Sequence, residues 1–231
     1  MADLAIDVTA RWAARRQTMN SNGIVGVLSG MCGYRIRCMY CGDSEACDVE
    51  HFFPKAVAEF RCRVFDWNNL LFICTPCNRL KNAKFRILSD GSAAFINPVE
   101  DDPWDFFDFV EETGELVPRA DLEAYALDRA ATTIHTENSR ISFETVTESR
   151  RQAARSIRRA VESFLRSDKG EADSHEFIAD LVSTGRPELV RWYFSGEFPV
   201  GPVYQEFSLE HAVLIPEVKR EIADKYPGAW P

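Results

Sequence analysis

Apolar residues recur through the first twenty positions, with Leu4, Ile6, Val8, Trp12 and Met19 set among Arg11, Arg15 and Arg16. This predicts a helix laying one face on a core, stopped by Ser21-Asn22-Gly23. Ile24-Val25-Gly26-Val27-Leu28, followed by Ser29-Gly30, fits either a strand or a tight helical turn. From Asp48 to Pro54 polar and apolar positions alternate, which predicts a short strand closed by proline. Asp66 to Ile73 ends in an apolar run, and Asn78 to Phe85 has the pattern of a short basic helix. Further on, Phe106 to Pro118 reads as a hairpin turning at Thr113-Gly114. Residues 122–166 form the longest helical region. There Ala153, Ala154, Ile157, Ala160, Val161, Phe164 and Leu165 share one face, and Arg150, Arg151, Arg155, Arg158, Arg159 and Arg166 take the others. Ser174 to Ser183 and Pro187 to Phe194 predict two more helices, followed by a stretch punctuated by Pro199, Pro202, Pro216 and Pro227.

Composition narrows the class. The 231 residues are 45% apolar, ordinary for a globular chain, and no apolar run approaches membrane-spanning length. The absence of a cleavable signal leads to the expectation of a cytoplasmic protein without membrane contact. The net charge is −9, and Glu100 to Glu123 holds ten carboxylates against the single base Arg119. That segment reads as a solvated acidic face, or as a surface that repels stray nucleic acid or docks a basic partner. The arginine-rich helix reads either as a phosphate-binding rail or as its partner.

The chemistry is concentrated between Cys38 and Lys81. Two Cys-x-x-C pairs, Cys38/Cys41 and Cys74/Cys77, supply four soft ligands of the kind tetrahedral zinc prefers. Their separation, about thirty residues, exceeds the common zinc-ribbon spacing, so a substantial segment is looped out between them. A redox thiol pair or a disulfide framework is disfavoured by the doubled pair and by the odd count of seven cysteines. Cys32, Cys47 and Cys62 are left as small core residues, with Cys32 near enough to substitute as a ligand. Within the loop, Glu50 and His51 are adjacent and so face opposite sides of a strand, which gives them different roles. A carboxylate suits magnesium, and an imidazole takes a proton from water near neutral pH. The amide oxygen of Asn78, directly after Cys77, is placed to complete a site with Glu50, and Asp48 to support the structure around it.

This order, C-x-x-C, D-x-E-H-F-x-P-K, W-x-N-L, then C-x-x-C-N-x-x-K, closely resembles the zinc-containing branch of the HNH endonucleases, whose core is the ββα-metal fold. The resemblance implies that His51 is the general base, that Glu50 and Asn78 hold a catalytic Mg2+ or Mn2+, and that Asn69 bonds to the backbone to hold the His51 loop. It also implies a structural Zn2+ on Cys38, Cys41, Cys74 and Cys77. Lys81, three residues after Asn78, is expected to touch the substrate phosphate, with Lys84 as a second substrate-binding cation. The expected fold class is α+β, organised as an N-terminal helix over 1–23, an HNH core over 24–90, and an acidic hairpin with a mostly helical region over 91–231.

Asn97-Pro98, Asp101-Asp102-Pro103, Thr133-Ile134 and Asn138-Ser139-Arg140, ahead of the arginine-rich helix, also resemble the nuclease subunits of Septu-type and retron-linked antiphage systems. That similarity implies a protein partner of the ABC-type ATPase class and a role in phage defence. The expected activity is hydrolysis of nucleic-acid phosphodiesters, DNA ahead of RNA. Alternatives are a free-standing restriction-type HNH nuclease and a non-catalytic zinc module on a degenerate nuclease scaffold. Arg35 to Asp90 holds nine Lys/Arg against seven Asp/Glu, which points to weak intrinsic affinity for nucleic acid and delivery of the substrate by a partner.

Overall fold

The computed structural model describes residues 8–16, 23–82 and 84–229. Leu4, Ile6, Met19 and the Ser21-Asn22 stop signal lie outside the described residues. The chain combines helices with two small antiparallel sheets of two strands each, and it forms two compact units. One comprises Met1–Cys32, Ile36–Asp108 and Leu116–Phe143; the other comprises Gly33–Arg35, Phe109–Glu115 and Glu144–Pro231. Among the described residues, no helix is long and apolar enough to cross a membrane.

In the first unit, helices α1 (Val8–Arg16) and α2 (Ile24–Met31) precede strands β1 (Asp48–His51) and β2 (Leu70–Ile73) and helix α3 (Thr75–Lys81). The run from Ile24 is therefore helical. β1 and β2 pair antiparallel in the register Asp48↔Ile73, Val49↔Phe72, Glu50↔Leu71 and His51↔Leu70. All four β2 residues are buried, as a strand covered on both faces requires. Leu70 and Phe72 join Trp12, Leu28, Ala46 and Val64 in one apolar cluster, with Val49 packed against it. Paired residues share a face, so His51 lies on this side and Asp48 and Glu50 lie on the other.

The helix expected over Asn78 to Phe85 begins three residues earlier and ends at Lys81. Pro76 lies in its first turn, where a missing N–H costs nothing, so the second cysteine pair is built into the start of α3. Asn82, with φ of 34°, ends it.

Strands β3 (Phe107–Val110) and β4 (Glu115–Pro118) form the expected hairpin, and α4 (Ala124–Ile134) follows. The helical region expected over 122–166 is two helices, because 135–143 interrupts it. Asn138 Nδ2, Ser139 Oγ and Ser142 Oγ donate to the carbonyls of Thr132, Thr133 and Ile134. Those carbonyls would otherwise be unpaired at the end of α4.

The second unit is built from α5 (Glu144–Arg166), α6 (Glu171–Ser183), α7 (Pro187–Phe194), α8 (Pro202–Glu210) and α9 (Ile215–Lys225). Three of the proline signals mark helix starts, with Pro187, Pro202 and Pro216 in first turns. Ile157, Val161, Phe164, Phe177, Leu181, Leu189, Phe207 and Ile222 are buried in this unit. The arginine-rich helix spends part of its charge internally. Arg150 Nε donates to the Gly114 carbonyl at 2.7 Å, and Arg158 pairs with Glu111 and Glu162. Gly114 has φ of +76°, and a Cβ there would stand 2.0 Å from the Thr147 carbonyl oxygen, so only glycine fits the hairpin tip.

Candidate functional site

Cys38, Cys41, Cys74 and Cys77 bring their Sγ atoms within 4.8 Å of one another, all buried. The first knuckle closes with Gly42 N–H donating to the Cys38 carbonyl and Cys38 N–H to the Ser44 carbonyl, each at 2.9 Å. Four thiols this close cannot all ionise without a cation between them. Hydrogen bonding from Cys38 brings Cys74 down to about 7, while bonding with Cys41 pushes Cys38 far up. This donor set and burial fit a zinc ion. Cys32 is outside the group, its sulfur 3.9 Å from the Phe72 carbonyl oxygen, and Cys47 and Cys62 are exposed rather than in the core.

Arg140, in the turn between α4 and α5, reaches this cluster. One guanidinium nitrogen donates to Ser44 Oγ on the first knuckle. Although burial opposes its charge, Cys41, Cys74 and Cys77 hold the guanidinium protonated, Cys74 as a hydrogen-bond partner. A cation bonded to ligating thiolates offsets their excess negative charge and slows ligand loss. Arg140→Ala is expected to speed zinc transfer to a colorimetric chelator by about tenfold, with Arg140→Lys in between. Equal release rates in all three proteins would remove Arg140 from the metal centre.

The loop between the knuckles carries the polar groups. Asn69, at the end of a 3-10 turn (Trp67–Asn69), is 1% exposed. Its Oδ1 accepts from Phe53 N–H at 2.6 Å, and its Nδ2 donates to the carbonyls of Arg63 at 2.9 Å and Phe53 at 3.3 Å. It thus ties the chain just after His51 to the segment before β2. Asn69→Ala leaves the partly buried N–H and carbonyl of Phe53 without this partner and is expected to cost about 2 kcal/mol. Urea unfolding would measure this, and a loss below about 1 kcal/mol would show that water replaces the amide.

His51 is 1% exposed. Its Nε2 lies 3.0 Å from the Val64 carbonyl oxygen. A carbonyl only accepts, so Nε2 carries the proton and Nδ1 keeps its lone pair. Nδ1 is buried and has no hydrogen-bond partner among the described residues. Burial, chiefly, pushes the imidazole down to about 4, helped by Lys55 and Lys81 and opposed by the Val64 bond. The Trp12 ring stands edge-on over it, with centroids 4.3 Å apart.

On the other face of β1, Lys81 is buried, and its ammonium donates to Glu50 Oε1 at 3.3 Å and to the His51 carbonyl at 2.8 Å. The expectation that Lys81 projects toward a substrate phosphate is corrected. Its position on α3 turns it inward against β1, where it compensates Glu50. Asn78 Nδ2 donates to Asp48 Oδ2 at 3.1 Å. The structure therefore gathers Asp48, Glu50, Asn78 and Lys81 on one side and sets the His51 ring on the other. Lys84 is exposed, and its ammonium donates to the Glu137 carbonyl. It lines an open pocket of about 420 Å³ with Arg86, Thr132, His135 and Asn138.

Comparison with protein-family models, with curated proteins and with solved structures gives no match to this chain. The site rests on its own geometry.

Sequence reasoning missed three residues that touch it. Trp12 was legible only as part of an apolar face. Tyr40, inside the first Cys-x-x-C pair, buries a hydroxyl without a partner among the described residues. Burial, then the charge of Glu50, pushes its pKa up. Arg140 had a signal, since it ends the Asn-Ser-Arg run, but no spacing linked it to cysteines so far away in the chain.

Proposed function

We propose that this chain is a metal-dependent HNH-type endonuclease that hydrolyses phosphodiester bonds of nucleic acid, DNA ahead of RNA. The observation that carries the reading is the state of His51. Its proton is fixed on Nε2 by the Val64 carbonyl, its Nδ1 is left as a base, and Asn69 clamps the loop that follows.

The residues opposite fit a divalent ion. Asp48, Glu50 and Asn78 offer hard oxygen donors on one side of β1, and the Lys81 ammonium on Glu50 shows that this side already balances a cation. Glu50 and Asn78 would hold the ion, which would supply Lewis-acid stabilisation of charge building on the phosphate in the transition state. In the chain's own part of the mechanism, His51 Nδ1 accepts a proton from a water molecule. The water oxygen attacks phosphorus as the in-line P–O bond to the leaving oxygen breaks, and the leaving oxygen takes a proton from solvent. Lys81 orients Glu50 and, through its bond to the His51 carbonyl, couples the two sides of the strand.

The net charge of −9 supports substrate delivery by a partner, for which the Septu-type resemblance suggests an ABC-type ATPase. A second reading, a zinc module without catalysis, is favoured by the burial of His51 and the Lys81 pair on Glu50. The test is incubation of the purified chain with supercoiled plasmid, single-stranded DNA and RNA in magnesium or manganese. Cleavage of any of them supports the nuclease. Intact substrates throughout, also after the candidate ATPase is added, would leave the zinc module.

A further inference from the structure

We propose that helix α1 is an autoinhibitory plug that closes the site by seating Trp12 over His51. This rests on the reading of His51 as a base, and it adds a regulatory state to that reading.

A base that takes a proton from water needs water at its lone pair, and here that atom is sealed. His51 Nδ1 is buried without a hydrogen-bond partner among the described residues, an arrangement that costs free energy. Packing alone would be served as well by an apolar side chain, so the cost is better explained as that of a reactive group kept covered. The cover is identifiable. Trp12 is 4% exposed, stands 4.3 Å from the imidazole in an edge-on contact, and lies 6.1 Å from Phe65. It comes from far upstream of the strand it covers and belongs to none of the hydrogen bonds that hold the His51 loop.

Among the described side chains of α1, 10–14, Trp12 alone is buried, while Arg11, Ala13 and Ala14 are exposed. A nine-residue helix is too short to be stable by itself in water. The docked ring therefore helps to hold it, and undocking exposes His51 while the Val64 bond, the Asn69 clamp and the cysteine cluster stay in place. Tryptophan fits the role because its large apolar edge excludes water over the whole imidazole.

Accessibility of His51 to diethylpyrocarbonate, mapped by peptide mass spectrometry, tests the plug without relying on catalysis. His135 and His175 are exposed and serve as internal standards. In the wild-type chain, His51 should react at least tenfold more slowly than these two. Trp12→Ala should bring His51 to a rate comparable with theirs. Because Trp12 also belongs to the apolar cluster, Ala14→Pro provides a second variant, breaking α1 at an exposed position and removing no buried side chain. Zinc content and unchanged reactivity of His135 and His175 would verify folding of each. Plasmid cleavage should rise in both variants and vanish when either is combined with His51→Ala.

Fast modification of His51 in the wild type would overturn the plug, and so would continued protection in both variants. Deprotection accompanied by slower cleavage would also overturn it, making Trp12 a support for the base. Deprotection with no cleavage by any of the proteins, also after the candidate ATPase is added, would refute the nuclease reading and reduce Trp12 to a cover over an inert imidazole.

Discussion

His51→Ala should lower metal-dependent cleavage about a thousandfold under single-turnover conditions, the usual scale for losing a general base, while zinc content stays unchanged. The side chain touches none of the four cysteines, so its loss should not disturb the metal centre. What it removes is specific: an imidazole whose proton is held on Nε2 by Val64 and whose Nδ1 keeps its lone pair beneath Trp12. Retained activity would assign the proton transfer elsewhere and leave His51 as a packing residue. The same variant should lose an acid sensitivity. With the folded imidazole pushed down to about 4 against 6.5 when unfolded, the unfolded chain binds the extra proton between these values. Stability is therefore full above pH 6.5 and is lost as pH falls toward 4, by about 3 kcal/mol at 1.36 kcal/mol per pH unit. Wild type and His51→Ala, compared by urea unfolding at pH 7 and pH 5, should differ in this slope; parallel profiles would contradict it.

Chelation of zinc should unfold the first unit. Its sheet has two strands of four residues, too little to persist alone, and the segments around Cys38 and Cys74 meet at the thiolates. A structural zinc contributes on the order of 10 kcal/mol, as much as the net stability of a whole domain. Cys74→Ser and Cys41→Ser should reproduce the loss, whereas Cys47→Ser and Cys62→Ser, at exposed positions, should not. The helices α5–α9 have their own buried core, so far-ultraviolet circular dichroism should keep most of its helical signal as the tryptophan and hydrogen-exchange signatures of the first unit disappear. An unchanged unfolding midpoint in excess chelator would show that the cysteines pack as thiols.

Spacing along the chain encodes the local outcomes. Two residues between cysteines make a knuckle whatever lies around it, and the alternation from Asp48 to His51 splits Glu50 from His51 across a strand. Thr113-Gly114 makes a tight turn because glycine reaches the left-handed region, which the Thr147 carbonyl then makes obligatory. The bonding of Asn69 to backbone was likewise legible, through the resemblance its position carries. Which side chains meet over long separations is settled by packing, beyond the reach of spacing. Lys81 read as a cation for the substrate phosphate because its helical position is compatible with either face; the partly buried Glu50 settles it inward. The region over 122–166 kept its helical pattern across 135–143, but the side chains of Asn138, Ser139 and Ser142 end α4 by taking its last carbonyls. Trp12 over His51 and Arg140 beside Cys74 join residues with no common local pattern. Packing and charge select such pairs only after the elements have formed, and periodicity carries no record of them.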